Sequence, residues 1–496
     1  MKKIILLVLS VFAFLLVSCS FFQESNTSST STVSIVLPEK GRGVFTMDDV
    51  AYYNIVLCSE KDDVKEELEK FTGGTASFDN IESGKYRITV TAFSDSDIVV
   101  ATGASELFVL EGGDEKQVVI SLVSVKLLSE MSSAPDSGRY YVTSADDLRK
   151  ISDWSNNDLA TFENVTFILH DDISITDGNW TPIGPNQDLD NANEDSTSLP
   201  TTSIYAFAGT FDGNGHCLTL PVKRWTVMHY RFAQLMYYNT GTVKNLRMKA
   251  TVPYEFVMDS EAECNYGSIC IYNNGSILNC ENYVSITGGS MRSSNEGCGG
   301  IAARNNAGAI IKNCANYADF SVTYTNHDWI NNYGAYRENG STGGIAGNNF
   351  GTMENCVNYG RISISYPSDS PAVATIGAIV GTHRGDGFLK SCYWLKDCMD
   401  NPRSKDTSGN IMKNEGVGSY VDSCTNILGC GSIDSSTITG GISVYKQHDS
   451  STLSTLPQTL AHGSNLVSAL NGYVSEDGSS QLKSWKMVEG KAHLDF

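Results

Sequence analysis

Between Gly241 and Cys392 one short unit recurs five times, and this repeat constrains the fold more than any other feature of the sequence. Each unit begins with a glycine and ends in an apolar strand, and its last residues are spaced 34, 34, 42 and 36 positions apart. An isoleucine in a glycine-rich segment precedes the last four of these positions by 11 or 13 residues. Such a two-strand unit cannot bury its apolar side alone, so the units are expected to stack as a right-handed parallel β-helix, or solenoid.

Asparagine and cysteine recur at the same phase in these units. Asparagine tolerates left-handed turns and can form hydrogen-bonded ladders between stacked strands. The predicted ladder residues are Asn245, Asn279, Asn313 and Asn355. The predicted column of inward, buried, free thiols is Cys280, Cys314, Cys356 and Cys392. The alternative for the cysteines is redox or metal chemistry, and no disulfide is assumed.

Three further sequence elements extend the pattern over residues 140 to 496. They are Trp180–Gly184, Gly209–His216 and Gly343–Gly347, the last of which precedes an Asn-Cys strand. Together they resemble the GLUG-type repeat proteins, which include bacterial surface lipoproteins, adhesins and regions flanking IgA-cleaving peptidases. The resemblance implies a solenoid with a small C-terminal closure. Phe232–Leu235 departs from the pattern because it lacks the glycines.

The N-terminus predicts export and lipid anchoring. Lys2 and Lys3 precede an apolar run of 14 residues, which is shorter than the roughly 18 to 20 residues of a membrane-spanning helix. Its end resembles the lipobox of bacterial lipoproteins, which implies that Cys19 is lipidated and becomes the mature N-terminus. Residues 1–18 are then a signal peptide and 19–32 a flexible tether. Ser20 after the cysteine fits an outer-membrane, surface-exposed destination in the bacterial cell envelope.

Short alternating strands separated by turn signals predict a β-sandwich over residues 33–125. Phe78–Val90 resembles Ig-like or transthyretin-like modules. Asp62–Lys70 is expected to be a helical insertion, and residues 126–143 a linker. Ser144 to Asp147 form a capping box that opens a short helix. The solenoid is assigned to residues 144–400, and an irregular segment with a C-terminal cap to 401–496.

No catalytic or metal-binding residue and no cofactor is predicted. The chain has 35 basic and 56 acidic residues, so its net charge of −21 makes nucleic acid an unfavourable partner. The zinc motif His-Glu-x-x-His is absent, so protease activity is not inferred from the resemblance. Asp212 to His216 is interpreted as a turn, Asp188–Asp195 as a solvated acidic loop and Lys223–Phe232 as a structural strand. The less favoured alternatives are a polar site, a calcium loop and a sugar- or base-stacking surface.

Three functions remain open at this stage. The first is a lipid-anchored surface protein, attached to the membrane through Cys19, whose Tyr- and Asn-rich solenoid binds a host protein or glycan in an adhesion role. The second is a polysaccharide lyase or hydrolase with carboxylates on one face of the β-helix. The third is a structural spacer. The ligand, the oligomeric state and the thiol state are left open.

Overall fold

The structure of this chain is a computed structural model. It describes residues 30–37, 50–60, 64–95, 99–184, 206–225, 231–250, 254–256, 265–290, 297–323, 339–365, 374–400, 404–405, 411–412, 417–420, 427–440, 443–446, 449–455 and 465–496. The predicted signal peptide, Cys19 and the acidic loop Asp188–Asp195 lie outside the described residues. In the described part, no helix is long and apolar enough to cross a membrane.

The predicted all-β fold is confirmed. Strands predominate, and the helices in the described ranges are Ala145–Asn157, Leu466–Asp477 and the 3-10 turn Leu128–Glu130. Ser144 caps the first helix, because its hydroxyl accepts a hydrogen bond from the Asp147 backbone N–H at 3.1 Å. The chain divides into two compact units between Val123 and Ser124.

The first unit contains two sheets. The smaller sheet has the order Thr75–Ile81, Ser31–Val36 and Glu115–Val119, with the first pair antiparallel and the second parallel. The larger sheet comprises Tyr52–Ser59, Val64–Phe71, Gly84–Phe93, Val99–Ala104 and Phe108–Leu110. Alternate residues of its central strand are buried, as a sheet with one face in a core requires. Val33, Ile55 and Phe78 are fully buried in this core.

Two predictions in this unit are wrong. Val64–Phe71 is a strand paired antiparallel with Tyr52–Ser59, not a helix. Its charged residues are exposed at one edge of the sheet, while Leu68 and Phe71 pack against the core. Charged edge strands are common in β-proteins, and pairing here overrides the helix propensity of Glu and Lys. The end of the range assigned to the tether, 19–32, also needs correction, because the first strand begins at Ser31.

The second unit is a parallel β-solenoid whose full coils have four sides. The first side contains Lys223–Trp225, Arg231–Ala233, Asn265–Gly267, Gly297–Gly299, Asn339–Gly343 and Ala374–Gly377. The second contains Met236–Asn239, Cys270–Asn273, Ala302–Asn305, Ala346–Asn349, Val380–His383, Val417–Tyr420, Ser443–Lys446 and Asp449–Thr455. The fourth contains Tyr254–Phe256, Ile286–Ser290, Phe320–Thr323, Ile362–Ser365 and Met399–Asp400.

The third side is the longest, and a turn divides it into two strand rows. Its strands are Val123–Leu127, Ser137–Val142, Asn164–Leu169, Ile173–Ser174, Thr210–Asp212, Cys217–Leu220, Thr242–Ala250, Ser276–Asn282, Ile310–Lys312, Ala315–Asn316, Thr352–Glu354, Val357–Asn358, Phe388–Lys390, Tyr393–Leu395, Ile427–Leu428, Gly431–Asp434 and Thr437–Gly440. Two hairpins, Ser404–Lys405 with Ile411–Met412 and Trp485–Val488 with Lys491–Leu494, complete the described strands.

The repeated isoleucines stack in the core between the first and second sides. Backbone hydrogen bonds link Ile269 to Ile301 and Ile301 to Ile345, at 3.0 and 2.9 Å. Leu235 occupies the equivalent position in the first repeat, although that repeat lacks the glycines. Gln234 stands in a glycine position there, and its amide donates to the carbonyls of Leu220 and Lys249. The departure in sequence therefore leaves the coil geometry intact.

The predicted solenoid borders need correction at both ends. Ser137–Val142 lies in the supposed linker 126–143, yet it pairs in parallel with Asn164–Leu169. After residue 400, Val417–Tyr420 and Gly431–Asp434 still pair in parallel with Val380–His383 and Tyr393–Leu395. The solenoid thus extends beyond both predicted borders, where the repeat motif is no longer recognisable but strand pairing continues.

Candidate functional site

The four predicted ladder asparagines lie at the turn within the third side. Asn245, Asn279, Asn313 and Asn355 have φ values of 54°, 52°, 59° and 53°. The amide Nδ2 of each of the last three donates to Oδ1 of its predecessor at 2.7 or 2.8 Å. Asn245 in turn donates to Asp212 at 2.9 Å. Asparagine suits this position because it tolerates the left-handed conformation and can bond to its neighbours above and below.

The four cysteines of the predicted column are fully buried; three follow a ladder asparagine and the fourth follows Ser391, whose φ is 53°. They are Cys280, Cys314, Cys356 and Cys392. Cys430 extends the column by one coil, and its Sγ lies 3.4 Å from the backbone N of Cys392. All ten cysteines in the described residues are free thiols. Burial raises the pKa of Cys314, Cys356 and Cys392 well above the ordinary thiol value, which disfavours the reactive thiolate.

Two further ladders were not predicted. On the second side, Asn239, Asn273, Asn305 and Asn349 are linked by amide hydrogen bonds of 2.8 Å, and Asn349 Nδ2 lies 3.1 Å from His383 Nδ1. The third ladder runs from Asn282 through Asn316 to Asn358, at 2.7 and 2.8 Å. A signal for the third ladder was present in the sequence, because each of its members lies two residues after a column cysteine.

Residues 465–496, which we call the C-terminal segment, pack against the third side. The ladder asparagines hold it in place: Asn279 Nδ2 donates to Gln481 O at 2.6 Å, and Asn313 Nδ2 donates to Lys483 O at 2.8 Å. Trp485 Nε1 donates back to Asn313 Oδ1 at 2.6 Å. The predicted cap therefore covers a lateral face and contacts successive coils.

Glu281 is the buried carboxylate of this interface. It accepts hydrogen bonds from Tyr283 at 2.9 Å and from the Leu494 backbone N–H at 2.9 Å, and it pairs with Arg247 at 3.1 Å. Burial alone would raise the pKa of Glu281, but the bonds from His493, Leu494 and Tyr283, with the charge of Arg247, hold it below its usual value. Glu281 thus has the partners of a structural anchor for the C-terminal segment.

The second side presents a different surface at the corner where its strands end. Residues on either side of a ladder asparagine alternate with it along the strand. At the position before the ladder, Tyr272 and Asn348 are buried, whereas Arg304 is half-buried. Arg304 and Asn306 flank Asn305, while Phe350 and Arg384 follow the next two members of the row. We call Arg304, Asn306, Phe350 and Arg384 the corner surface; all four are half-buried.

Aromatic and cationic groups meet on the corner surface. The guanidinium carbon of Arg304 lies 4.3 Å from the Phe350 ring centroid, and that of Arg384 lies 5.8 Å from it. Arg304 Nε donates to Asn306 Oδ1 at 2.6 Å. Burial, and then the charge of Arg304, lower the pKa of Arg384 to about 10. Two like charges are therefore held around one aromatic ring.

Stacked tyrosines adjoin this surface. Tyr238 and Tyr272 are nearly parallel, with ring centroids 4.8 Å apart, and Tyr272 is opposite Arg304 in the strand register. The corner surface was not predicted residue by residue, because its members come from three coils with loops of different length between them. Only the general Tyr- and Asn-rich character of the flank could be inferred from sequence.

The other sequence features form no assembled site in the described residues. Asp212 Oδ1 accepts a hydrogen bond from the Asn214 backbone N–H at 2.9 Å, and Asn214 and Gly215 have φ values of 51° and 82°. This is a turn that also receives the amide of Asn245. Lys223–Trp225 pairs antiparallel with Arg231–Ala233. No cluster of three metal-ligating side chains occurs in the part of the chain that is described.

No protein-family model and no curated protein matches this sequence. Among solved structures, a candidate immunoglobulin A1 protease from Bacteroides ovatus is similar, with 19% identity and a TM-score of 0.39, over 74% of this chain and 95% of that one. An IgA1 protease is also similar, with 14% identity and a TM-score of 0.30, over 76% of this chain and 27% of its own length. Similarities of this size transfer no activity to this chain.

Proposed function

We propose that this protein is a lipid-anchored bacterial surface protein whose solenoid binds a ligand through the corner surface, in an adhesion role. The observation that carries the proposal is the grouping of Arg304, Phe350 and Arg384 around one another on a regular backbone. Phe350 N donates to Asn305 O at 2.7 Å, and Arg384 N donates to Asn349 O at 2.9 Å, so neighbouring coils fix their spacing. Preorganised aromatic and arginine side chains are favourable recognition groups.

The lyase or hydrolase alternative receives less support from the described residues. The strongest candidate for an active site is the group of Glu281, Arg247 and His493, but these residues bind the C-terminal segment. The spacer alternative is compatible with the ladders and does not account for the corner surface. Binding therefore remains the function that the geometry favours.

A binding array tests this proposal. The mature protein is applied to immobilised glycans and extracellular-matrix proteins, and the Phe350→Ala variant is compared with it. We expect Phe350→Ala to lose at least about tenfold in affinity for the bound ligand, since a central aromatic contact contributes more than 1.4 kcal/mol. Phe108→Ala is the matched control, because Phe108 is also half-buried and contacts a cation, Lys116, but lies in the first unit. No binding by the wild-type protein would favour the spacer.

The lipid anchor has its own test. Cys19 follows the apolar N-terminal run, so we expect Cys19→Ala to abolish lipidation and to move the protein from the detergent phase to the aqueous phase. Mass spectrometry of the mature N-terminus measures the lipid directly. An unchanged lipidated N-terminus in the variant would contradict the assignment.

A further inference from the structure

We propose that the first unit is a force-bearing module, in which Ser31–Val36 and Glu115–Val119 form a mechanical clamp between the membrane anchor and the solenoid. We call these two strands the terminal strand pair, because they are the first and last strands of the smaller sheet in chain order. This inference goes beyond the proposed function and rests on it for the source of the load. The lipid at Cys19 fixes one end of the chain, and a ligand bound by the solenoid pulls on the other.

The relative direction of the terminal strand pair decides how it carries such a load. The two strands are parallel, with five residue pairs in register from Thr32 opposite Glu115 to Val36 opposite Val119. Tension from the anchor enters at the start of the first strand, whereas tension from the solenoid enters at the end of the last one. Since these points lie at opposite ends of the pair, the strands must slide past each other before they separate. The evenly spaced hydrogen bonds of a parallel ladder are then loaded together rather than one after another.

Contacts on the other side of the first strand add to this resistance. Ser31–Val36 is the central strand of its sheet, because it also pairs antiparallel with Thr75–Ile81. Sliding the strand therefore breaks two ladders at once. It also withdraws the fully buried side chains of Val33 and Ile35 from the core and exposes their apolar surface to water.

A buried serine fastens the loaded end of the first strand. Ser31 is 1% exposed, and its Oγ donates to Glu111 O at 2.6 Å and accepts from the Asp114 backbone N–H at 3.2 Å. The Thr32 N–H donates to Asp114 O at 2.8 Å. The point at which tension enters is thus bonded to the turn that precedes the last strand.

The test is single-molecule force spectroscopy of the full mature chain, pulled in two directions. Handles on azido side chains that replace the exposed residues Thr30 and Ser121 load opposite ends of the terminal strand pair and make it slide. Handles at Thr30 and Glu115, which is also exposed, load the same end and peel the strands apart. We expect the sliding direction to need at least about twofold more force at the same pulling rate, because the residue pairs resist together and forced unfolding follows the unfolding barrier.

Controls separate the clamp from ordinary stability. Unfolding should add about 300 Å of chain for either pair of handles, which shows that the whole unit was folded. Ser31→Ala should lower the force in the sliding direction, whereas Ser77→Ala, at an exposed serine of the neighbouring strand, should leave it unchanged. Equal forces for these two variants would overturn the fastening role of Ser31. The comparison of directions needs no substitution inside the terminal strand pair, so it stands even if Ser31→Ala does not fold.

The outcomes also separate this inference from the proposed function. Equal forces in the two directions, with lipidation and ligand binding retained, would overturn the clamp and leave the proposed function intact. A higher force in the sliding direction, in a protein that is not lipidated at Cys19, would support the clamp and overturn the anchor that loads it.

Discussion

Single asparagine side chains perform three tasks in this solenoid. Asn313 adopts a φ of 59°, bonds to Asn279 and Asn355, and also contacts Lys483 and Trp485 in the C-terminal segment. A buried amide has two donors and two acceptor lone pairs, so four hydrogen bonds satisfy it completely. This explains why the position favours asparagine over residues of similar size.

His383 ends the second ladder and should make the stability of the solenoid depend on pH. Its Nδ1 faces Asn349 Nδ2 and can accept a hydrogen bond only when it is unprotonated. Burial lowers the pKa of His383 from 6.5 to about 4. The unfolded state therefore takes up the proton first as pH falls, so stability is complete above pH 6.5 and about 3 kcal/mol is lost between pH 6.5 and 4.

Urea unfolding of the wild-type protein and of His383→Asn measures this effect. The variant keeps an amide at the ladder end but cannot titrate, so its stability should fall less than that of the wild-type protein on acidification. The difference between the two proteins removes the contribution of the carboxylates they share. Parallel pH profiles would show that His383 is not the group responsible.

At the scale of elements, the C-terminal segment acts as a lateral brace. Lys312 on the third side pairs with Asp477 at 2.8 Å, and Tyr473 donates to Glu354 at 2.7 Å. With Glu281 and the ladder asparagines, these contacts connect residues of several coils to one short helix and hairpin. Strands too short to be stable alone are thus linked across coils.

Glu281→Ala should release this brace. The change leaves Arg247 without its buried partner and removes the acceptor of the Leu494 N–H, so we expect a loss of about 3 to 5 kcal/mol in the free energy of unfolding. Limited proteolysis with mass spectrometry should then show early cleavage within residues 465–496. Glu163→Ala, at an exposed glutamate, is the control. Equal resistance of both variants to proteolysis would contradict the role of Glu281.

At the scale of the whole molecule, stacking creates a closed core that isolates the cysteine column from solvent. We expect Cys314, Cys356 and Cys392 to react with a maleimide only as the solenoid unfolds, because they are fully buried and burial raises their thiol pKa. Cys58 in the first unit is half-buried and serves as an internal control that should react sooner. Peptide mapping before and after denaturation gives the labelled positions. Rapid labelling of the three column thiols in the native protein would refute this expectation.

The sequence by itself determined the parallel stacking, because glycine, isoleucine and cysteine recur at fixed positions within each unit and so come into register when the units stack. It also identified Asn245 and its equivalents, since a left-handed turn is encoded by the residue at that turn. Only the tertiary structure decided that Val64–Phe71 is a strand, because pairing with Tyr52–Ser59 outweighs local propensity. Only the tertiary structure also showed that Arg304 lies near Arg384, 80 positions away. The loops between coils differ in length, so such contacts cannot be found from the spacing of residues in the sequence.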